Sequence, residues 1–325
     1  MSYSGGKHDR ILSIYSKLLN NERVNVKESA DRYGVSSKTI HRDIDDIRAF
    51  LSDNTIANGA ACDIVYNRQQ QTYKLNDNGK LKREEVFVLG KILLESRALN
   101  HAEFSDVFEK MILCCTSKND FPLVQKMLSN ERFHYIELSH KKHIIRTIWD
   151  LGCAVQNCNL IDITYERLTE PRLKTRRIKP VGIMFSDFYF YLAGYIVDKN
   201  TANPTIYRID RIKSYSILKE KFAAPYANRF EEGEFRKRVQ FMYGGELLRV
   251  EFKYTGESIE AVLDRFPTAQ ITQKGYGYYI IRAEVFGRGI KPWILSQTDK
   301  IEVLKPIELR QEIKQLIEKI SVLYS

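Results

Sequence analysis

Between Asn25 and Arg48 the chain runs Asn-Val-Lys-Glu-Ser-Ala-Asp-Arg-Tyr-Gly-Val-Ser-Ser-Lys-Thr-Ile-His-Arg-Asp-Ile-Asp-Asp-Ile-Arg, and this stretch restricts the fold more than any other. Its first part predicts a short helix over Val26–Tyr33, stopped by Gly34, which can take the left-handed conformation that closes a helix. Ser36 then stands where a hydroxyl can accept from the free N–H groups of a second helix. In that helix Ile40, Ile44, Ile47 and Leu51 recur every three or four residues and make a buried stripe. Lys38, His41, Arg42 and Asp45 fall opposite the stripe, with Ser37 and Thr39 at its N-terminal flanks. Asp43 lies nearer the stripe, where it can orient Arg42 or brace the fold. An upstream helix, Arg10–Leu19, with Ile11, Ile14, Leu18 and Leu19, completes a three-helix core. A helix held this way on one side, with its N-terminal polar side free, is shaped to enter a DNA major groove. Downstream, Cys62–Tyr66 and Thr72–Leu75 flank the polar turn Asn67–Gln71, a two-stranded wing whose Arg68 can meet a phosphate.

The run Val35-Ser-Ser-Lys-Thr-Ile-His-Arg-Asp-Ile44 resembles the winged helix-turn-helix of DeoR-type bacterial repressors, whose usual form is VS-x-x-TI-x-RD. The resemblance covers residues 1–80 and implies duplex DNA as partner, with Ser37, Lys38, Thr39, His41 and Arg42 facing the groove. Charge agrees with it. Lys and Arg outnumber Asp and Glu by 51 to 41 in 325 residues, a net +10, which favours a polyanionic partner.

Beyond the wing the chain separates into further zones. Arg83–Leu128 reads as a helical connector, with Val86, Leu89, Ile92 and Leu93 at helical spacing. From Phe133 to Phe222 alternation dominates, as where Ile161, Ile163 and Tyr165 interleave with Asp162, Thr164 and Glu166. Strands are expected at Asp162–Glu166, Pro180–Ser186, Phe188–Val197 and Pro204–Leu218, and short aromatic strands in this number suggest a small barrel. The loop between the first two holds Arg172-Leu-Lys-Thr-Arg-Arg-Ile-Lys179, the densest cationic run. Arg229–Arg238, charged and carrying Gly233, reads as a linker. The last zone, Phe241–Ser325, mixes strands at Leu247–Tyr254 and Tyr278–Val285 with helices. The final helix, Pro306–Tyr324, carries Leu309, Ile313, Leu316, Ile317 and Ile320 on one face.

Lys179-Pro-Val-Gly-Ile-Met-Phe, Phe190-Tyr-Leu-Ala-Gly-Tyr195 and Tyr207-Arg-Ile-Asp-Arg-Ile212 are together similar to the WYL domain, an Sm-like β-barrel of bacterial regulators. Its namesake Trp-Tyr-Leu stands here as Phe190-Tyr191-Leu192, a change that keeps the apolar face and loses the indole donor. The resemblance implies a sensor of nucleotide-like or single-stranded nucleic-acid ligands. The implied site holds Tyr191, Arg208 and Arg211, beside Arg176 and Arg177 of the cationic run and Tyr165. Guanidinium groups fork onto phosphates, and tyrosines stack bases. In a regular strand, positions 208 and 211 face opposite ways. Either the strand ends or bulges between them, or one arginine is structural and pairs with Asp210 or Glu166; Arg208 with Tyr191 is the favoured ligand-facing pair. As an exposed side chain, Arg208 is expected to be dispensable for folding.

Gly289–Arg310, with its W-x-L-S and V-L-x-P-x-x-L-R stretches, resembles the extension that follows WYL barrels. That implies a ferredoxin-like α+β dimerisation module over 240–325, separable by cutting at Arg238. The chain is thus expected to be an α+β homodimer. Its parts are a winged helix-turn-helix (1–80), a helical connector (81–132), a ligand-sensing barrel (133–225) and the dimer module.

Other classes find less support. The longest uncharged run, Leu151–Ile161, is too short to span a membrane, and MSYSGGKHDR has no apolar signal core, so a cytoplasmic protein without membrane contact is expected. Five cysteines outside C-x-x-C pairs, and six histidines not grouped with them, suggest reduced thiols and no metal site. His140 and His143 are expected on an exposed helix. No P-loop, G-x-S-x-G, H-E-x-x-H or dinucleotide fingerprint occurs, and no enzymatic cofactor is expected. Two rivals stay open. Gly287-Arg-Gly289 followed by Trp293 is similar to the loop of biotin protein ligases, though only 36 residues follow it. The second rival is an RNA- or single-strand-binding module whose helix-turn-helix is incidental.

Overall fold

The computed structural model describes residues 6–20, 22–58, 62–77, 81–115, 120–166, 173–201, 203–223 and 230–325. Arg172 and Arg229, and the side chains of Cys62, Cys114 and Cys115, lie outside the described residues. The chain divides into two compact units, Met1–Arg97 with His101–Ile136, and Ala98–Asn100 with Glu137–Ser325.

In the first unit, α1 (Lys7–Leu19), β1 (Val24–Asn25), α2 (Val26–Tyr33) and α3 (Ser37–Asn58) precede the hairpin β2 (Cys62–Asn67) and β3 (Thr72–Asp77). The Asn25 side chain caps α2 by accepting from Glu28 N, and Gly34 ends it at φ +64°, where a side chain would be strained. The predicted stripe is buried: Ile40, Ile44, Ile47 and Leu51 pack on Ile14, Leu18, Val26 and Ala30, with Ile64 and Leu75 of the wing. Each such side chain stabilises the fold by roughly 1.5–3 kcal/mol. β3 lies between β1 and β2, so the wing is bolted to the helices through Val24 and Asn25.

Three helices complete this unit: α4 (Arg83–Ser96), α5 (His101–Cys115) and α6 (Phe121–Phe133). Their buried residues include Val86, Leu94, Phe104, Phe108, Val124 and Leu128. Of the predicted connector stripe only Val86 is buried; Leu89 and Ile92 are exposed.

The second unit opens with α7 (Ile145–Gln156), a helix hidden by the strand-like character of its surroundings. Ile148, Leu151 and Val155 repeat at three and four and pack on the sheet that follows, so the reading of the whole zone as alternating strands is corrected here. His140 and His143 precede α7 in a turn and irregular segment, not on a helix. The sheet comprises β4 (Asn159–Glu166), β5 (Leu173–Ser186), β6 (Tyr189–Ile196), β7 (Thr205–Arg208) and β8 (Ile212–Lys221), in the order β7-β6-β5-β4-β8. Among the described residues β7 and β8 do not pair, so the sheet is open where a closed barrel was expected. A 3-10 turn at Ile209–Arg211 breaks the run expected as one strand, Pro204–Leu218. The cationic run is likewise no loop. Leu173–Ile178 is the first half of β5, paired with β4 from Glu166↔Leu173 to Ile161↔Ile178. The expected linker is α8 (Glu232–Arg238), whose Phe235 is buried with Met184, Ala193, Val239 and Met242.

The chain then forms β9 (Leu247–Tyr254), α9 (Ile259–Arg265), β10 (Gln270–Gly275), β11 (Tyr278–Phe286), α10 (Ile290–Ser296), β12 (Ile301–Lys305) and α11 (Ile307–Leu323). The antiparallel order is β10-β11-β9-β12, and Phe252, Phe266, Trp293 and Ile281 sit in its core. Gly287 lies at φ +58°, and a Cβ there would stand 2.3 Å from Gly244 O; one on Gly289 would stand 2.1 Å from Gln240 O. Close backbone approach therefore accounts for the Gly-Arg-Gly sequence. On α11, Leu309, Ile313 and Leu316 meet the core, whereas Ile317 and Ile320 are 53% and 40% exposed. Among the described residues no helix is long and apolar enough to cross a membrane.

Candidate functional site

At the start of α3, Ser36 Oγ accepts from Thr39 N at 3.2 Å and lies 2.9 Å from Thr39 Oγ1, so Thr39 belongs to the cap. Ser37, Lys38 and Arg42 are exposed, and none makes a side-chain hydrogen bond or ion pair among the described residues. Their helix is fixed from behind. Arg10 forks onto Asp43 at 2.6 and 3.1 Å, with both side chains nearly buried; Asp43 thus braces the fold. His41 turns toward the wing, its Nδ1 2.6 Å from the Tyr73 hydroxyl and its ring edge-on to Tyr66 and Tyr73. Burial raises the Tyr73 pKa against the opposing charge of Arg48. Arg68 projects from a turn closed by Gln70 N donating to Asn67 Oδ1 at 3.1 Å, and is exposed.

The strand period divides five of the six expected ligand residues between the two faces of the five-stranded sheet, and the sixth, Arg211, lies in the 3-10 turn. Tyr165 and Arg176 lie on the α7 face, where Arg176 is registered opposite Ile163. The Tyr165 hydroxyl accepts from Arg208 N at 3.4 Å, and its ring meets Tyr207 edge-on. The Tyr207 hydroxyl is buried without a hydrogen-bond partner among the described residues; burial raises its pKa, opposed by the Arg176 guanidinium. Arg177, on the other face, forks onto its cross-strand neighbour Asp162 at 2.9 and 3.1 Å. That hydrogen-bonded pairing holds the Asp162 carboxyl below the usual carboxylate range.

Tyr191 and Arg208 are registered opposite one another on β6 and β7. Burial pushes the Tyr191 hydroxyl up to about 12, against the pull of the nearby Arg208 charge, so it is a neutral donor at ordinary pH. The Arg208 guanidinium stacks 3.4 Å over the centroid of the Tyr189 ring and donates to both Asp210 oxygens, at 3.1 and 2.7 Å. Burial opposes its charge, but the bonds to Asp210 outweigh that and raise its pKa. Its side chain is 20% exposed and that of Asp210 only 6%, which corrects the expectation of an exposed, dispensable arginine. Lys142 Nζ donates to the Asp210 carbonyl. Arg211, half-buried in the 3-10 turn, makes no hydrogen bond or ion pair among the described residues. Its charge adds to the lowering of the Glu166 pKa, which is due first to the Lys213 hydrogen bond.

Sequence reasoning missed Tyr189 and Lys142. Tyr189 was within reach, because it lies two residues from Tyr191 on one strand and so shares its face. Lys142 lies 68 positions from its partner, and no local pattern marks it.

The family model described as the WYL domain matches residues 146–217, from α7 to β8, and that described as the WCX domain matches residues 246–321. No curated protein matches the chain. Among solved structures it is similar to proteasome accessory factor B/C (PafBC) of Arthrobacter aurescens, at 15% identity and a TM-score of 0.33. That match covers 98% of this chain and 48% of the other, so this chain spans about half its length. It is also similar to a structure described as a CRISPR Cas-related protein, at 16% identity and a TM-score of 0.37, over 67% of this chain and 61% of that one. The chain thus carries a WYL domain followed by a WCX domain.

Proposed function

We propose that the protein is a transcriptional regulator that binds operator duplex DNA through a DeoR-type winged helix-turn-helix. Its WYL domain senses a phosphate-bearing ligand, a nucleotide or short single strand. The observation that carries this reading is the N-terminal face of α3: Ser37, Lys38 and Arg42 are exposed and uncommitted, on a helix locked from behind by Arg10 and Asp43. Side chains so placed can reach base edges and phosphates, while Arg68 on the wing contacts the backbone. In the WYL domain Arg211 supplies the open positive charge, Tyr191 a neutral donor, and Arg208 a guanidinium oriented by Tyr189 and Asp210. The C-terminal segment acts as a ferredoxin-type dimer module, placing two α3 helices on an inverted repeat.

The test is selection from a random duplex pool, followed by fluorescence anisotropy with the selected duplex and with one of its strands. The duplex is expected to bind at least a hundredfold more tightly. Equal affinity for the single strand would favour a single-strand-binding module instead.

A further inference from the structure

A cleft of about 310 Å³ opens where α8 and the segment after it meet the end of β5 and α9. It lies within the second unit; neither Tyr191 nor Arg208 is in its lining, though Met184, which is, stands opposite Tyr191 across β5 and β6. Arg236, Lys237 and Arg265 line it, with the buried Gln240 and the Ser186 hydroxyl, which donates to Asp187 Oδ2 at 3.3 Å; among the described residues no carboxylate side chain is in the lining. Two of the three cations are held in place without being neutralised. Arg236 donates to the Phe185 carbonyl at 2.8 Å and makes no ion pair among the described residues. The Arg265 guanidinium stacks 4.7 Å from the centre of the Phe241 ring, and its buried Nε has no hydrogen-bond partner among the described residues. Buried guanidinium donors are nearly always satisfied, so an orphaned one beside a cleft marks a place for an acceptor. Lys237 pairs with Glu234, one turn back on α8. Phe241 and Met242, both in the lining, are held at φ +47° and +54°, a strained conformation that gathers at binding sites.

We infer that this cleft binds the phosphate of a compact phosphomonoester. Two guanidinium groups without a carboxylate partner among the described residues, with Lys237 beside them, suit a dianion better than a carboxylate, and guanidinium forks match phosphate geometry. The cleft is at the small end of ligand sites, which run from about 300 to 1,000 Å³, so it takes inorganic phosphate or a mononucleotide and not an oligonucleotide. Phe241, already stacked by Arg265, offers the ring against which a base or other flat group would rest.

Titration calorimetry with inorganic phosphate and with adenosine monophosphate tests the site, on the parent chain, Arg236→Gln, Arg265→Gln and Arg211→Ala. Circular dichroism melts establish that each variant is folded. Binding is expected in the parent and in Arg211→Ala, weakened at least tenfold by Arg236→Gln and more by Arg265→Gln. Binding of phosphate but not of the mononucleotide would identify a plain phosphate site; tighter binding of the mononucleotide would assign the aromatic part of the cleft to the base. Should Arg265→Gln not fold, Arg236→Gln decides alone, since its side chain is exposed. The inference is overturned if the parent binds neither probe at millimolar concentration, or if folded Arg236→Gln binds both as the parent does. Loss of all binding in Arg211→Ala alone would also overturn it, and would leave the WYL sensing site standing.

Discussion

At Arg208 a stacked guanidinium meets a nearly buried carboxylate, and removing either strands the other. Arg208→Ala is therefore expected to cost about 2–4 kcal/mol, because Asp210 would keep a charge with no fork to balance it. A urea melt reads this directly, and a loss below about 0.5 kcal/mol, the level of an ordinary surface change, would contradict it. Ligand experiments consequently belong on Arg211, whose loss leaves no buried partner behind. Tyr191 gives a pH signature. An unfolded tyrosine ionises near 10, whereas Tyr191 in the fold ionises at about 12. The stability tied to its raised pKa is fully present below pH 10 and is lost as pH rises toward 12. Parent protein should thus lose stability more steeply over that window than Tyr191→Phe, and parallel alkaline curves would refute the assignment. Asp210 was visible in the sequence as a candidate partner. What the sequence left open was which arginine takes it, because that depends on where the strand breaks. The 3-10 turn at Ile209–Arg211 decides for Arg208.

Elements with a single strong period were legible. α2 spans the expected Val26–Tyr33 and ends at Gly34, and β9 spans the expected residues. Failures cluster where another signal masked the period. In Leu173–Ile178, lysine and arginine fill both faces, so charge density concealed a strand that β4 satisfies by backbone pairing. In α8 the charges are those a helix favours, Glu232 and Glu234 in the first turn and Arg236, Lys237 and Arg238 in the last. One buried residue, Phe235, is too little apolar pattern to announce it. Gly287 joins β11 to the turn before α10. Adding a methyl group there would drive it into Gly244 O and force a positive φ on a residue that resists it. Gly287→Ala should lower stability by at least about 1–3 kcal/mol, read as a fall in melting temperature. An unchanged melting temperature would mean that the two backbones do not lie this close.

Met184 and Ala193, in the segment that matches the WYL domain, share a small core with Phe235 of α8 and with Val239 and Met242 after it, and Phe286 of the segment that matches the WCX domain packs against them. Cutting at Arg238 would remove part of that core, so truncation is a poor probe of dimerisation. The exposed end of α11 offers a better one. If residues 240–325 carry the dimer, Ile317→Glu with Ile320→Glu should give a folded monomer by sedimentation, and an intact dimer would move the interface elsewhere. Groove readout by α3 can be measured by anisotropy on the selected duplex and a scrambled duplex, using parent, Arg42→Ala and Arg68→Ala. With groove readout the parent prefers the selected duplex by on the order of 10³ or more. Arg42→Ala should lose about 1–3 kcal/mol on the selected duplex alone, while Arg68→Ala should weaken both duplexes alike. A parent protein that binds the two duplexes equally, or an Arg42→Ala variant that retains the full preference, would contradict it.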